Sequence, residues 1–258
     1  MTRWVLVDDL ASSRSAEEHM ALDYAMLAAV RAGSPAMFRL YQWTNPTLSI
    51  GRFQVDDEID GDRCRALGID VVRRPTGGRA LLHGADLTYA VAMPAPVTGV
   101  LASYAYLARA LAAGLARCGV HADVAIRNGD RGQACFASHE GADLAVAGRK
   151  ICGSAQLQQD GALLQHGAIL LDRLAVNETD VLAYADAQRR TREAQRLVDA
   201  TVTLRELGAP HDAPTVAAAL IAGFGEALDV QWEPPSEAPV VEDLIGTTNR
   251  LSAPVPSA

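Results

Sequence analysis

Apolar and polar positions change in short blocks along the chain, and no apolar run approaches the roughly 18 residues a membrane span needs. Residues 3–8 read as a strand, and Ser15-x-x-Glu18 is a capping box ahead of a helix that reaches about Arg31, with Gly33 just beyond. Ala36–Trp43 and Thr47–Ile50 read as strands about the Asn45-Pro46 turn, and Asp60–Leu67 as a short helix closed by Gly68. Ile69–Arg73, Ala80–His83 and Asp86–Ala92 are strands around the turn Pro75-Thr76-Gly77-Gly78. An Ala-rich helix, Ser103–Cys118, precedes a strand over Val120–Ile126 and a polar loop, Arg127–Gly132. Leu144–Ala147 and Lys150–Leu157 form a hairpin, and Leu163–Leu171 is a further strand. Helical spacing then predicts helices over Asn177–Arg196 and Thr215–Leu228, with a last strand at Asp229–Trp232.

Short strands interrupted by helices predict an α+β fold with a mixed, mainly antiparallel central sheet flanked by helices. The Gly77-Gly78 turn runs into a strand and lacks G-x-G-x-x-G, which argues against a dinucleotide fold. The length of 258 residues suits one catalytic domain over 1–233, followed by a Pro/Ala-rich tail, 234–258, expected to be flexible.

Charge narrows the function. A net charge of −8 argues against nucleic-acid binding, and the pattern argues against a membrane protein. The N-terminus enters a strand at once, without an export signal, so a cytoplasmic location is expected. The four cysteines have no C-x-x-C spacing, and no metal site is expected. Arg73, Arg74, Arg79, Arg127, Arg131 and Arg149 flank the segments that carry chemistry, a local basic mouth suited to an anionic ligand or an acidic protein.

Of the 23 basic residues, all but one are arginine; the exception is Lys150. Arginine cannot stand in where a compact ammonium is needed. Strict strand alternation puts Lys150, Cys152, Ser154 and Gln156 on one face, and Ile151, Gly153 and Ala155 on the other. Gly153-Ser154-Ala155 is small throughout, as the floor of a groove would be. Arg73-Arg74-Pro75-Thr76-Gly77-Gly78-Arg79 reads as anion recognition around a turn that lets backbone approach a ligand. His83 is either a ligand contact or a strand-end histidine, and His166 beside Gly167 either flanks a site or satisfies the sheet. Cys135, in the polar loop, and Cys152, near Lys150, are rival nucleophiles on the residues alone, whereas Cys64 and Cys118 fall inside helical or core patterns.

Together the segments Arg73–Tyr89, Cys135-Phe136, Gly148–Gln156 and Gln165–Asp172, with Met20–Asp23 and Leu48–Gln54, resemble the biotin/lipoate protein ligase superfamily, and within it the cysteine-dependent octanoyltransferases. The resemblance spans about residues 3–230. It implies a sheet that cradles an acyl chain. It also implies transfer of octanoate from acyl carrier protein, through a cysteine thioester, to a lysine of a lipoyl-accepting protein such as the glycine cleavage H protein or a lipoyl domain. No cofactor is implied, since a thioester is already activated; ATP and Mg would enter only if the chain were a lipoate ligase. Carried over, Cys135 matches the nucleophile and Lys150 the family lysine. Cys152 falls where a small residue is usual, which makes it a bystander. Arg73, Arg74, Thr76, Gly77, Gly78, Arg79, His83, Gly153, Ser154, Ala155, His166 and Gly167 match the walls of the substrate site, with backbone N–H groups at Gly77-Gly78 or at Gly153 and Ser154 as oxyanion donors.

Three departures stand out, one being that the tail shows no accessory domain of the kind found in ATP-dependent lipoate ligases. The family tends to follow the Cys-Phe with Pro-Ser and an aromatic, where this chain has Ala137-Ser138-His139, and the C-terminus lacks the charged, aromatic ending of the octanoyltransferases. The alternatives are an ATP-dependent lipoate ligase, an amidotransferase between lipoyl domains, and a binder without turnover. Cys135 together with Lys150 argues against the first and the last.

Overall fold

The computed structural model describes residues 2–95, 99–126 and 142–233. Cys135, Phe136, Arg127, Arg131, His139 and the tail from 234 onward lie outside the described residues.

The capping box forms as expected. Ser15 Oγ accepts from Glu18 N (3.2 Å), and the Glu18 carboxylate accepts from Ser15 N (2.7 Å), opening α1 (Ala16–Arg31). The helix returns the chain from β1 (Thr2–Asp8) to β2 (Ala36–Tyr41), which pairs with β1 in parallel. β3 (Thr47–Ile50), β4 (Asp70–Arg73) and β5 (Leu81–His83) form a small sheet in the order β4-β3-β5, with α2 (Gly61–Leu67) beside it. β6 (Asp86–Pro94), α3 (Val100–Arg117), β7 (Asp123–Ile126), β8 (Ala142–Val146), β9 (Arg149–Gln159), β10 (Ala162–Leu170), α4 (Ala187–Ala200), α5 (Ala213–Leu228) and β11 (Val230–Trp232) complete the chain. The large sheet runs β11-β1-β2-β6-β10-β9-β8-β7; only the β1 pairings are parallel. The α+β architecture with a mixed, mainly antiparallel sheet is thus the one expected.

Each face of the large sheet has its own cover. Phe38, Tyr89, Val91 and Leu163 pack under α3 and α5. Met37, Tyr41, Ala90 and Leu164 face α1. Ala168 joins Leu48, Ile50 and Ala80 of the small sheet, so α1 and the small sheet share one face of the large sheet. The seam between them is where a cleft forms.

The predicted helix over Asn177–Arg196 is two structures. Asn177 accepts from Thr179 N, and Asp180 accepts from Asn177 N, closing a single 3-10 turn, Glu178–Asp180. Val181 and Leu182 then turn into the core below α2, and Asp186 caps α4 afresh by accepting from Arg189 N (2.7 Å). Burying two apolar residues there displaces continuous helix.

Candidate active site

The cleft between α1 and the small sheet opens onto a narrow pocket. Met20 reaches it from α1; Ser49, Leu81 and His83 from the small sheet; Tyr41 and Thr88 from the large one, and Trp43 from just past β2. Its floor is Gly153–Ala155 and His166–Gly167. The floor is tight because β9 and β10 pair there, Gly153 opposite Ala168 and Ser154 opposite Gly167. A Cβ on Gly167 would stand 2.3 Å from the Gly153 carbonyl oxygen, so glycine is required at that position.

The three arginines of the glycine turn are committed within the protein, Arg73 and Arg74 to backbone carbonyls and Arg79 to a carboxylate. Arg74 is buried and donates to the carbonyls of Ser49 (2.9 Å), Gly77 (2.9 Å) and Arg79 (2.7 Å). Arg73 donates to the carbonyls of Gly51 and Gln54 (2.8 Å each) and pairs with Asp56, while Arg79 lies 3.3 Å from Glu58. The expectation of anion recognition therefore gives way, for Arg74 above all, to clamping of the turn. Unpaired carbonyls in a bend without ladder partners need such donors. Gly77-Gly78 meets Gly51 closely: a Cβ on Gly51 would stand 2.0 Å from the Gly78 oxygen.

Both histidines are fully engaged. His83 bridges Ser49 Oγ (2.9 Å) and Asp86 Oδ2 (2.9 Å) and stacks on Trp43 with ring centroids 4.4 Å apart. Burial would raise the Asp86 pKa; the charge and hydrogen bond of His83 outweigh it and hold the carboxyl below its ordinary 3.8. His166 sits between Thr76 Oγ1 (2.6 Å, at Nε2) and Asp23 Oδ2 (2.9 Å, at Nδ1). With both ring nitrogens bonded, it orients the wall and has no nitrogen left over to serve as a base.

Lys150 is 1% exposed, and its Nζ lies 2.8 Å from Asp143 Oδ2. The register corrects its expected neighbours. Ala145 pairs with Lys150, but Leu144 pairs with Cys152, so Ile151 is an extra residue and the strand bulges there. Cys152 and Ile151 both pack into the core under α3 and α5, whereas Lys150 shares the α1 face with Gly153 and Ala155. Lys150 and Cys152 are therefore on opposite faces, and no dyad forms between them. Ser154 also faces α3, where its hydroxyl lies 2.7 Å from the Tyr89 hydroxyl; its N–H donates to Asp143 Oδ1 (3.3 Å) and is not open as an oxyanion donor. Cys64 and Cys118 are buried thiols whose pKa burial pushes up.

Residues that sequence reasoning left out of the site form a charged knot behind the pocket. Arg39 is fully buried and donates to Asp9 Oδ2 (2.6 Å), Asp23 Oδ1 (2.7 Å) and the His19 carbonyl (3.1 Å). A charge inside the apolar strand Ala36–Tyr41 was the available signal. His19 Nδ1 lies 2.7 Å from Arg39, and its Nε2 has no partner among the described residues. Burial first, then the Arg39 charge, lower its pKa from 6.5 to about 4. Because the folded value lies below the unfolded one, unfolding takes up a proton in this window, and stability falls as pH drops from 6.5 toward 4. The expected loss from this group is about 3 kcal/mol. Urea unfolding across that range should show a clearly smaller loss for His19→Gln; an unchanged slope in the variant would refute the assignment.

A model of the lipoyl protein ligase A/B catalytic domain matches residues 15–225, and the chain belongs to that family. Within it, the chain is 40% identical over 236 residues to octanoyltransferase LipM of Kyrpidia tusciae, covering 85% of this chain and 86% of that one. It is 36% identical over 248 residues to octanoyltransferase LipM of Carboxydothermus hydrogenoformans, covering 90% and 89%. In fold it is similar to the bipartite lipoate protein ligase of Thermoplasma acidophilum (TM-score 0.77, 24% identity, 95% of this chain and 91% of that one). It is also similar in fold to lipoate-protein ligase A bound with ATP (TM-score 0.72, 22% identity, 95% and 93%).

Proposed function

We propose that the chain is an acyltransferase of lipoate assembly that moves an octanoyl group from a thioester donor to a lysine of a lipoyl-accepting protein. What carries the reading is its likeness to octanoyltransferases over most of their length. The site suits it. The apolar side chains of Met20, Trp43 and Leu81 give the pocket the character an acyl chain needs, and Lys150 lies on the same sheet face three residues before the Gly153 floor.

In this reading the donor is octanoyl acyl carrier protein, the acceptor is the glycine cleavage H protein or a lipoyl domain, and the nucleophile is Cys135. Its thiolate forms a C–S bond to the octanoyl carbonyl, and the carrier thiol leaves with the electron pair and a proton. The acceptor's neutral ε-amine then forms the C–N bond, and Cys135 leaves as thiolate while the nitrogen loses a proton. Negative charge gathers twice on the carbonyl oxygen, and the Lys150 ammonium stabilises it. A thiolate nucleophile needs a reducing compartment, which the cytoplasm supplies. His83, Thr76 and His166 shape the wall, and Gly153–Ala155 the floor.

The chain incubated with octanoyl acyl carrier protein, without ATP, should gain one octanoyl group in an intact mass. The adduct should vanish in Cys135→Ala and persist in Cys152→Ala. No adduct, with ATP-dependent adenylation of free lipoate instead, would make the chain a ligase.

A further inference from the structure

An enzyme that acylates lysine amines must keep its own amines out of the reaction. This chain carries one lysine, Lys150, so the reactivity of its side-chain amine is decided by the surroundings of that residue. Those surroundings are specific. Asp143 is 1% exposed, as is Lys150, and its two oxygens reach β9 on either side of the bulge: Oδ2 meets Lys150 Nζ at 2.8 Å before it, and Oδ1 meets Ser154 N at 3.3 Å after it. One carboxylate thus fixes both the lysine and the strand that floors the pocket.

We propose that Asp143 is the positioning residue that keeps Lys150 an ammonium and holds it as a donor, and so prevents this ε-amine from accepting the octanoyl group. The inference rests on the reading of octanoyl transfer given above. A buried ammonium in contact with a carboxylate is stabilised over the neutral amine, and only the neutral amine has a lone pair to attack with. Without the Asp143 carboxylate the protonated form of Lys150 loses that stabilisation, and the neutral amine would form a C–N bond to the acyl carbonyl of a thioester brought to it. The C–S bond breaks, the sulfur leaves with the pair, and the nitrogen's proton goes to it. The product is an amide on the enzyme, which has no exit.

The test separates amide from thioester. The full chain is incubated with octanoyl acyl carrier protein and no acceptor, treated with hydroxylamine, and mapped by peptide mass. The wild type should keep no octanoate after hydroxylamine. Asp143→Asn should keep one octanoyl group, on the peptide containing Lys150, and should transfer to the acceptor at least about ten-fold more slowly, the scale on which an orienting partner acts. Asp143→Glu, which retains the carboxylate, should show no resistant adduct. Should Asp143→Asn not fold, Asp143→Ser serves as the second variant, judged folded by near-ultraviolet circular dichroism. A folded neutral variant that carries only hydroxylamine-labile octanoate overturns the proposal. A wild type that takes up no octanoate at all overturns instead the reaction on which it rests.

Discussion

Replacing Lys150 with arginine should lower kcat/KM for octanoyl transfer by roughly 100-fold or more, the cost of losing an oxyanion donor, although the charge is kept. The reason is space and shape. Lys150 has almost no solvent around it, and its nitrogen is held 2.8 Å from Asp143 beside a bulge that already bends the strand. A guanidinium is wider, planar and best matched to a carboxylate through two parallel bonds. It would satisfy Asp143 by lying along it, which turns its donors away from the acyl carbonyl. Forcing it in should also cost about 1–3 kcal/mol of stability through overpacking. Transfer rates to a lipoyl domain, with a thermal melt alongside, measure both. A Lys150→Arg enzyme within a few-fold of wild type would mean that a bulk charge is all the site needs, and that the single lysine of this chain is accidental.

The elements around that lysine were legible to different degrees. The hairpin, the small floor residues and the α+β class follow from local signals: alternation, glycine turns and a capping box whose two hydrogen bonds both form. The bulge at Ile151 was not legible. Alternation assumes one residue per step, and a single inserted residue moves Lys150 to the face of Gly153 and Ala155 while sending Cys152 into the core. That single step removes the rival nucleophile, which spacing alone had kept level with Cys135.

The basic turn was misread for a related reason. Composition shows three arginines and two glycines, and such a set fits either an anion or a bend whose carbonyls lack partners. Only the fold shows that β4 enters the turn beside Ser49 and Gly51, so that the carbonyls lie within reach of Arg73 and Arg74. Asp143 lay in plain view in the sequence, but a lone acid ahead of a strand gives no sign of which cation it will meet. Its partner is set by the register of β8 against β9.

Arg39 is the clearest case of long-range organisation, and Arg39→Met should destabilise the protein by about 3–5 kcal/mol, the cost of leaving buried charges without their partner. Asp9 and Asp23 lie 30 and 16 residues from it in sequence, yet both carboxylates meet its guanidinium in the interior. Burial pushes both acids up; at Asp9 the Arg14 and Ser12 hydrogen bonds and the Arg39 charge, and at Asp23 the His166 hydrogen bond and the Arg39 charge, bring them below 3.8. Their contribution is therefore present above about pH 3.8 and is lost as pH falls through the lower folded values. Removing Arg39 lets those folded values rise, so the variant can protonate its buried acids where the wild type cannot. It also lifts one of the three influences that depress His19 (burial and the Arg39 and Arg14 charges), so the imidazole charges more readily in the variant on the way from pH 6.5 to 4. The deficit should accordingly be largest at neutral pH and shrink on acidification, first through His19 and then through the carboxyls. Urea unfolding of both proteins from pH 7.5 to 4 reads it directly. A deficit below 1 kcal/mol, or one that does not change with pH, would mean that the knot is held by packing of Tyr41 and Trp43 around His19 and not by charge.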